Sequence, residues 1–358
     1  MPAERLTVLR LANFVSPTSG GIRTVMRRLS HAQADDVHSW LVVPGPSSGI
    51  DAVAGVLDVG TLPAIPMAPG QPYRLMLNRA AIRSLLDDVR PDVVEVHDQL
   101  TLAWVGAECR RRGVRAVLVA HERLDLLAAF WSGVPLAGDL ARRWLDRISG
   151  TFDAIVAPSR FAAEPYAAAG IDVHVVPWGV DHSVFYPGTA RGSGGSRPLK
   201  LVHAGRLSAE KDPTLSARAV EYLARKGIDV ELTVIGSGPE SPKVAAYPQV
   251  RMAGYVDGPR RMADLLRTAD VVLAPGPFET FGVSALEAMA CGLPVVCRES
   301  GSITEIPQTF AAVGTAEGFG DAALELAADG AARSRSAASA QHFSWDTAAR
   351  QMLAVYGQ

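Results

Sequence analysis

Residues 274–297 read APGPFETFGVSALEAMACGLPVVC, and this stretch decides the fold of the second half of the chain. The apolar residues just before it, 269–274, are typical of a buried strand, and residues 284–290 are typical of a helix that ends before a Gly-Leu-Pro sequence. Glu279 therefore lies in the turn between strand and helix, and Glu287 lies within the helix. Two carboxylates on one strand–turn–helix unit indicate a polyol held at two points.

The bulk composition limits the classes of function. A chain of 358 residues can form two α/β domains, each with its own core. The net charge of −2 gives no reason to expect a nucleic acid partner, and the three cysteines lack a metal-ligand spacing and fit a reducing cytosol. With neither a signal peptide nor an apolar run near the roughly 20 residues of a spanning helix, we expect a cytoplasmic protein, at most peripheral to the inner face of the plasma membrane.

Short apolar runs alternate with helical stretches along the whole chain. The pattern predicts parallel sheets covered by helices on both faces, in two doubly wound domains. The Gly- and Ser-rich residues 187–198 predict a linker between a domain at 1–186 and a domain at 199–342, and we expect residues 343–358 to form a helix that packs back on the first domain. The predicted strands are residues 6–12, 39–43, 92–97, 116–121, 154–157, 173–176, 200–204, 231–235, 251–253, 271–274 and 295–297. The alanine-rich residues 311–340 predict surface helices. Ligands of such folds bind at the carboxyl ends of the strands, so we expect a cleft there, between the domains.

Two loops that follow predicted strands carry groups suited to an anion. Gly20 and Gly21 follow the first strand and precede a helix, where backbone N–H groups and the helix dipole favour phosphate, although an ordinary turn is the alternative. Arg206 and Lys211 follow the first strand after the linker. Arginine binds phosphate oxygens with two donors and lysine adds a point charge, whereas the alternative is a solvated loop in which Arg206 pairs with Glu210.

The remaining polar motifs leave more alternatives open. Gly236 and Gly238 lie at the end of another strand. They either let a nucleoside approach the backbone or form a plain turn. In the first half, Glu-Val-His-Asp at residues 95–98 and His-Glu-Arg at residues 121–123 both end strands, which favours a functional role for His121 and a structural role for His97.

Residues 128–148 combine Trp, Phe and Arg at roughly helical spacing. A helix packed on its domain with an arginine face is the commoner arrangement of such a pattern. The alternative is a helix that lies on an anionic membrane surface.

Residues 278–292, FETFGVSALEAMACG, resemble the E-x7-E signature of retaining glycosyltransferases with the GT-B fold. The Gly20-Gly21 loop, residues 204–211 and residues 176–181 resemble companion motifs of that family in the same order. The most similar subgroup is that of the actinobacterial GDP-mannose-dependent phosphatidylinositol-mannoside mannosyltransferases, and the resemblance extends over essentially the whole chain.

The resemblance implies a fold and a set of roles. The fold would be two Rossmann-like domains facing each other across a cleft, the first on the acceptor side and the second binding the nucleotide sugar. Glu279 would bind hydroxyls of the donor hexose with His121 beside the sugar, Glu287 would hold the ribose, and Arg206 and Lys211 would bind the diphosphate. Further donor contacts are implied for Gly20, Gly21, Gly205, Gly236, Gly238, Val256, Asp257, Thr280, Phe281, Gly282 and Val283, and acceptor-side contacts for Asp98 and Arg123. The family's usual Asn before Gly-Val-Asp is Trp178 here.

The implied reaction moves a hexose from a nucleotide sugar, with mannose from GDP-mannose as the first candidate, to a small-molecule or lipid-linked acceptor. The resemblance implies retention of configuration with no metal and no cofactor, and the sequence contains no Asp-x-Asp metal motif. The alternatives are a UDP- or TDP-sugar-dependent natural-product glycosyltransferase and a non-catalytic nucleotide-sugar-binding protein. A third alternative is an enzyme similar to glycogen phosphorylase, which would require a lysine that carries pyridoxal phosphate.

Overall fold

The structure of the chain is a computed structural model, and it describes residues 5–15, 21–53, 57–67, 73–188 and 197–357. Gly20 and most of the predicted linker lie outside these described residues. The chain divides into two compact units. Unit 1 comprises Met1–Trp178 and Trp345–Gln358, and unit 2 comprises Gly179–Ser344.

Unit 1 is built on a sheet with the strand order β10-β9-β8-β7-β1-β2-β4-β3, in which every neighbouring pair is parallel except β3 with β4. Its strands are β1 (Leu6–Leu11), β2 (Val37–Gly45), β3 (Gly49–Val53), β4 (Leu57–Pro63), β7 (Val93–Val96), β8 (Arg115–Val119), β9 (Ala154–Ala157) and β10 (His174–Val175), and β5 (Ile65–Pro66) and β6 (Arg74–Leu75) form a separate small pair.

Helices cover both faces of this sheet. They are α1 (Gly21–Ala32), α2 (Arg79–Val89), α3 (Trp104–Arg112), α4 (Leu124–Ser132), α5 (Pro135–Ser149), α6 (Arg160–Ala167) and the last helix of the chain, α13 (Trp345–Gly357). The neighbours Leu41 and Val42 of β2 are both buried and belong to two different apolar clusters, because successive strand residues point to opposite faces. A sheet buried on both faces explains the continuous apolar runs of its central strands.

Unit 2 contains a second parallel sheet, with the strand order β13-β12-β11-β14-β15-β16. Its strands are β11 (Leu199–Ala204), β12 (Val230–Ile235), β13 (Val250–Gly254), β14 (Val271–Ala274), β15 (Val295–Arg298) and β16 (Phe310–Ala312). Its helices are α7 (Pro213–Arg225), α8 (Ser241–Ala245), α9 (Pro259–Leu266), α10 (Val283–Ala290), α11 (Ala316–Ala328) and α12 (Ala332–Ala340). Both units are therefore Rossmann-like α/β folds, which confirms the predicted fold class of each half.

Several predicted elements differ from the structure. The sequence did not predict β3, β4 or β16, and the alanine-rich residues 311–340 are not only surface helices. Residues 310–312 form β16, and α11 buries Phe319 and Leu326 in the core of unit 2. One side of α11 faces the core and consists partly of alanines, whose small side chains let the helix approach its neighbours closely. The alanine-rich composition therefore did not indicate that this side is buried.

Candidate active site

The turn after β14 in unit 2 fixes the start of α10. Gly282 adopts φ 84°, and a Cβ at this position would lie 2.7 Å from Cγ1 of Ile303. Only glycine fits this backbone and this space. The first N–H groups of α10 lack partners within the helix, and Gly282 brings no side chain to cap them, so the helix N-terminus presents donors and a partial positive charge to an anion.

Two sequence-predicted residues meet at the carboxyl edge of this sheet. Lys211 follows β11, Glu279 follows the adjacent strand β14, and Lys211 Nζ donates to Glu279 Oε2 at 2.8 Å. Both side chains are partly exposed, at 23% and 27%. The lysine therefore holds the Glu279 carboxylate in place at an edge that solvent reaches.

A residue that sequence reasoning missed joins these two loops. Arg298, the last residue of β15, donates from Nε to the carbonyl of Pro275 at 2.6 Å and pairs through Nη2 with Asp212, the residue after Lys211. Gly276 packs on Lys211, since a Cβ there would lie 3.5 Å from the lysine Cα. The only signal in the sequence was the position of Arg298 at the end of a predicted strand, on the same edge of the sheet.

Ser302 supports Glu279 from the other side. Its backbone N–H and its hydroxyl both donate to the Glu279 carbonyl, at 3.1 Å and 2.6 Å. The backbone of Glu279 is thus fixed independently of its carboxylate. Nothing in the sequence indicated this contact.

Arg206 lies on the same loop as Lys211, with a side chain 44% exposed. Its Nη2 is 3.8 Å from Glu210 Oε1, as the structural alternative for this loop expected. That separation is long for a hydrogen bond. Binding of the diphosphate by Arg206 stays a prediction.

The glycines of the two neighbouring loops have a packing reason of their own. A Cβ on Gly236 would lie 1.9 Å from the Gly205 carbonyl oxygen, and one on Gly238 would lie 2.3 Å from the Leu207 carbonyl oxygen. Leu207 N–H also donates to the Ser237 carbonyl at 3.1 Å. Close contact between two backbones therefore accounts for Gly236 and Gly238, whereas a Cβ on Gly205 would meet nothing within 4 Å. Their contacts with a donor stay predictions.

The other predicted donor residues lie around the same edge of unit 2. Thr280 and Phe281 are buried, and the ring of Phe281 makes an edge contact with Phe343 at 6.1 Å between centroids. Glu287 lies in α10 and is half-buried, and Val283 begins that helix. Val256 is buried and Asp257 is exposed in the loop between β13 and α9. The structure assigns no ligand contact to any of them.

His203 is a buried histidine near Glu279 that sequence reasoning did not select. It lies in β11, and its Nδ1 is 3.0 Å from the Ser216 hydroxyl. Burial lowers its pKa to about 4, against the opposing effect of the Glu279 carboxylate. His203 is therefore neutral at neutral pH, and it interacts electrostatically with the Glu279 carboxylate.

In unit 1, His121 follows β8 and is the end of a buried polar chain. Its Nε2 is 2.7 Å from Nδ1 of His97, and Nε2 of His97 is 3.0 Å from Oε2 of Glu95. The two imidazole rings stack with 5.0 Å between their centroids, and the ring of Trp178, which stands where the family has Asn, stacks with His121 at 6.0 Å. His97 is buried, as predicted, but it also contacts the histidine predicted to act.

Glu95 is ionised at the centre of this chain. Burial alone would raise its pKa, but the Arg10 guanidinium at 2.7 Å, with His97 and Tyr356, lowers it to about 2. Tyr356 of α13 donates to the second oxygen of Glu95, and Arg10 also donates to the hydroxyls of Ser30 and Ser39. The charged pair is thus enclosed by hydrogen bonds, which a buried ion pair requires.

This arrangement fixes the proton on His121. Burial, together with His97, lowers the pKa of His121 well below its usual value, with Glu95 opposing. Because Glu95 accepts from His97 Nε2–H, a neutral His97 offers Nδ1 as an acceptor, and His121 must then donate from Nε2. Nδ1 of His121 is then the acceptor nitrogen of its ring.

Asp98 is engaged in a turn of unit 1. Its Oδ1 accepts from the backbone N–H groups of Leu100 and Thr101 at 2.7 Å and 3.0 Å, and its Oδ2 accepts from Asn13 at 3.3 Å and from the Thr101 hydroxyl. These bonds use most of the acceptor capacity of the carboxylate. Its predicted contact with the acceptor stays a prediction.

Arg123 is likewise engaged inside unit 1. It forms two bonds to Asp125, at 2.9 Å and 2.8 Å, and a third to Glu164 at 2.6 Å, and it lies over the ring of Phe161. Arg123 therefore ties α4 to α6, and a contact with the acceptor stays a prediction. Gly21 begins α1 and is exposed, while Gly20 lies outside the described residues.

Within the part of the chain that the structure describes, no three His, Cys, Asp or Glu side chains come together as a metal site would need. A search of the same residues for a helix long and apolar enough to cross a bilayer finds none.

Comparisons with known proteins fit this geometry. Residues 19–184 match the family model described as Glycosyltransferase Family 4, and residues 198–329 match Glycosyl transferases group 1. The chain is 35% identical over 374 residues to the GDP-mannose-dependent alpha-(1-6)-phosphatidylinositol dimannoside mannosyltransferase of Mycobacterium tuberculosis, covering 98% of this chain and 96% of that protein. It is 31% identical over 310 residues to the D-inositol 3-phosphate glycosyltransferase of Actinosynnema mirum, covering 75% of this chain and 72% of that protein.

Solved structures agree on the fold. Sucrose-phosphate synthase from Thermosynechococcus elongatus matches with a TM-score of 0.81 at 17% identity, over 99% of both chains. Anabaena HepE in complex with UDP and glucose matches with a TM-score of 0.75 at 17% identity, over 99% of this chain and 100% of that one. The resemblance inferred from the E-x7-E stretch is therefore confirmed, and the chain belongs to the glycosyltransferase family that these two family models describe, with the GT-B fold.

Proposed function

We propose that this glycosyltransferase moves mannose from GDP-mannose to a hydroxyl of a lipid-linked inositol glycoside, with retention of configuration and without a metal ion. The donor and the acceptor class are supported by the mannosyltransferase relative that matches nearly the whole chain at 35% identity. The observation that carries the mechanism is the Lys211–Glu279 pair at 2.8 Å, which brings a phosphate-binding cation and a hydroxyl-binding carboxylate to one edge of unit 2.

The chemistry requires charge stabilisation at the leaving group. Cleavage of the anomeric C–O bond builds negative charge on the departing diphosphate and positive charge on the sugar ring. Arg206, Lys211 and the N-terminus of α10 supply donors that can stabilise the diphosphate without a metal. Removing one such donor typically costs about a hundred- to a thousand-fold in rate.

The proposal assigns no protein nucleophile. Glu279 is already paired with Lys211 and fits a hydroxyl acceptor of the donor hexose, and Glu287 fits the ribose. The acceptor hydroxyl attacks on the face that the diphosphate leaves, and the departing phosphate oxygen takes the acceptor proton. A mannosyl group trapped covalently on Glu279 would overturn this assignment.

His121 has a supporting role in the proposal. Its lowered pKa keeps the ring neutral, so it adds no positive charge beside a sugar that is itself becoming positive. The family resemblance implies that this histidine lies beside the donor sugar.

A transfer assay tests the proposal. Purified protein, labelled GDP-mannose and a phosphatidylinositol mannoside are incubated with a metal chelator, and the product linkage is determined by NMR. We expect an α-linked mannosyl product with wild-type protein and a loss of about a hundred-fold or more with Lys211→Ala. Transfer only from UDP- or TDP-sugars, or donor binding without transfer or donor hydrolysis, would replace the proposal by one of the two alternatives.

A further inference from the structure

The α4–α5 hairpin of unit 1 ends in an exposed apolar tip. Residues 130–136, Phe-Trp-Ser-Gly-Val-Pro-Leu, are all exposed, and Leu140 extends this surface along α5. Trp131 is 63% exposed, Leu136 58% and Leu140 54%. We call residues 130–136 with Leu140 the hairpin tip. An apolar cluster of this kind on a surface marks an interaction site.

The hairpin projects beyond the carboxyl edge of the sheet. Leu145 and Ile148 of α5 are buried in the core of unit 1, and Trp144 Nε1 donates to the carbonyl of Gln99, just past the end of β7, at 2.9 Å. Trp144 thus marks the level of the edge. Helical rise carries Pro135, nine residues earlier in the same helix, up to about 13 Å further out.

The base of the hairpin is rigid. Asp125 of α4 is buried and accepts from Arg123 on one side and from Arg142 of α5 at 3.0 Å on the other. The helices cross closely at Gly138, where a Cβ would lie 3.0 Å from the Asp125 carbonyl oxygen. The apolar tip is therefore held in place before any partner arrives.

Positive charge follows the apolar tip along the same face of α5. Arg143 and Arg147 are exposed and lie three and seven residues after Leu140, which places them on its face of the helix. Asp139 and Asp146 flank this face on one side only. Arg143 lies seven residues, or about 10 Å, behind Leu136.

We propose that the hairpin tip inserts into an anionic lipid bilayer, with Arg143 and Arg147 at the level of the lipid phosphates. An interfacial helix buries its apolar side about 5–10 Å deep, which matches the spacing between the tip and the arginines. Arginine side chains extend along apolar surface and keep their charge in the head-group layer. A projecting tip of a few side chains suits a fluid bilayer, because it offers little area for a flat protein interface.

This inference deepens the proposed function, since it names the surface from which a lipid-linked acceptor would be taken. His121 follows β8 on the edge of unit 1 from which the hairpin rises. Docking at the tip would hold that edge towards the membrane.

Vesicle flotation with the full chain tests the inference. The vesicles are phosphatidylcholine alone or phosphatidylcholine mixed with phosphatidylglycerol. We expect wild-type protein to float with the anionic vesicles, Trp131→Ser with Leu136→Ser to reduce binding about tenfold or more, and Arg143→Gln with Arg147→Gln to reduce binding about tenfold to the anionic vesicles only. The matched control is Val313→Ser, an equally exposed apolar residue of unit 2 at 55%, which should bind as wild type.

Tryptophan fluorescence gives an independent readout. Anionic vesicles should shift the emission of wild-type protein to shorter wavelength, and Trp131→Phe should remove most of that shift. Wild-type protein that fails to float, or tip variants that float as well as wild type, would overturn the inference. Light scattering that shows a wild-type dimer dissociated by the tip substitutions would also overturn it, because the tip would then bind a second copy.

The failure of the inference is separable from the failure of the proposed function. Calorimetry with GDP should give the same affinity for the tip variants as for wild type, because every substituted side chain lies outside the nucleotide-sugar residues. Flotation without mannosyl transfer would support the docking surface and count against the proposed function. Transfer to a lipid acceptor that is unchanged in the tip variants would support the proposed function and count against the docking surface.

Discussion

Lys211 and Glu279 are 68 positions apart in the chain and form a 2.8 Å ion pair at the carboxyl edges of two adjacent strands. The pair explains why a lysine loop and an E-x7-E turn are both needed in one sheet. Each side chain positions the other before a donor arrives, so binding needs little rearrangement of either group.

Separate substitutions of the pair should each remove transfer. Lys211→Ala should lower kcat about a hundred- to a thousand-fold, because the leaving diphosphate loses a fixed cation. Glu279→Gln should also lower the transfer rate, since an uncharged amide replaces the carboxylate and the ion pair with Lys211 is lost. Steady-state kinetics measure both, and Lys243→Ala, an exposed lysine paired with Glu240, is the control. A Lys211→Ala protein with wild-type turnover would remove this lysine from the mechanism.

Arg298 should act as a positioning residue for the Lys211 loop. Arg298→Lys keeps the charge but cannot reach both the Pro275 carbonyl and Asp212, so the loop should shift and turnover should fall about tenfold to a hundred-fold. The measurement is kcat and KM for the donor, together with the thermal midpoint. The exposed Arg335→Lys, which disturbs a surface pair with Asp329 and a surface hydrogen bond to Gln308, should keep wild-type values of both kinetic constants. If the Arg298→Lys protein also keeps them, the loop holds its place without this clamp.

His97 should set the protonation of His121. His97→Phe keeps an aromatic ring but removes the acceptor at 2.7 Å that fixes the His121 tautomer when both histidines are neutral, and it removes the electrostatic effect of His97 that helps to lower the His121 pKa in acid. Burial, the largest cause of the lowered pKa, remains, so the pKa of His121 should rise but stay below its usual value. The acid limb of the pH–rate profile should then move to higher pH, with a lower maximum rate. A profile of unchanged shape would show that His97 is only a packing residue.

His203 should make folding stability depend on pH. Its folded-state pKa of about 4 lies below the ordinary histidine value of 6.5, so the unfolded chain takes up a proton before the folded chain does. The contribution of neutral His203 to the free energy of unfolding is complete above about pH 6.5. It is lost as the pH falls from 6.5 towards 4, by up to about 1.4 kcal/mol per pH unit.

Denaturant unfolding at several pH values checks this expectation. His203→Gln should flatten the fall of the unfolding free energy between pH 6.5 and 4, and the exposed His342→Gln should not. Equal slopes in the two variants would show that His203 takes up its proton in the folded protein as easily as in the unfolded chain.

The sequence predicted the buried parallel strands and the loops after them well. The predicted strands 271–274 and 200–204 agree with β14 and β11 to within one residue, because strands buried on both faces are continuous apolar runs. The edge strand β3 and its neighbour β4 were missed because Gly, Asp, Thr and Pro interrupt their apolar pattern. Edge position tolerates such residues, so sequence pattern alone loses the strand.

The site was predicted in part, for a physical reason. Residues close to a recognisable loop, such as Lys211 and Glu279, could be selected from local pattern, and the structure brings these two together. The residues that support Lys211, Glu279 and His121 could not be predicted, because Arg298, Ser302 and the Arg10–Glu95 pair act through contacts between distant parts of the chain. Arg10 and Glu95 are 85 positions apart, and nothing in either local sequence indicates the burial that makes their pairing necessary.

Calorimetry with GDP, UDP and TDP, in the presence of a metal chelator, measures whether Arg206 and Lys211 bind a diphosphate without a metal ion. We expect GDP to bind most tightly, and we expect Arg206→Ala and Lys211→Ala each to weaken its binding at least about tenfold, since each removes a charge-assisted hydrogen bond to the diphosphate. Binding that appears only with a divalent cation, or that is unchanged in both variants, would contradict this expectation.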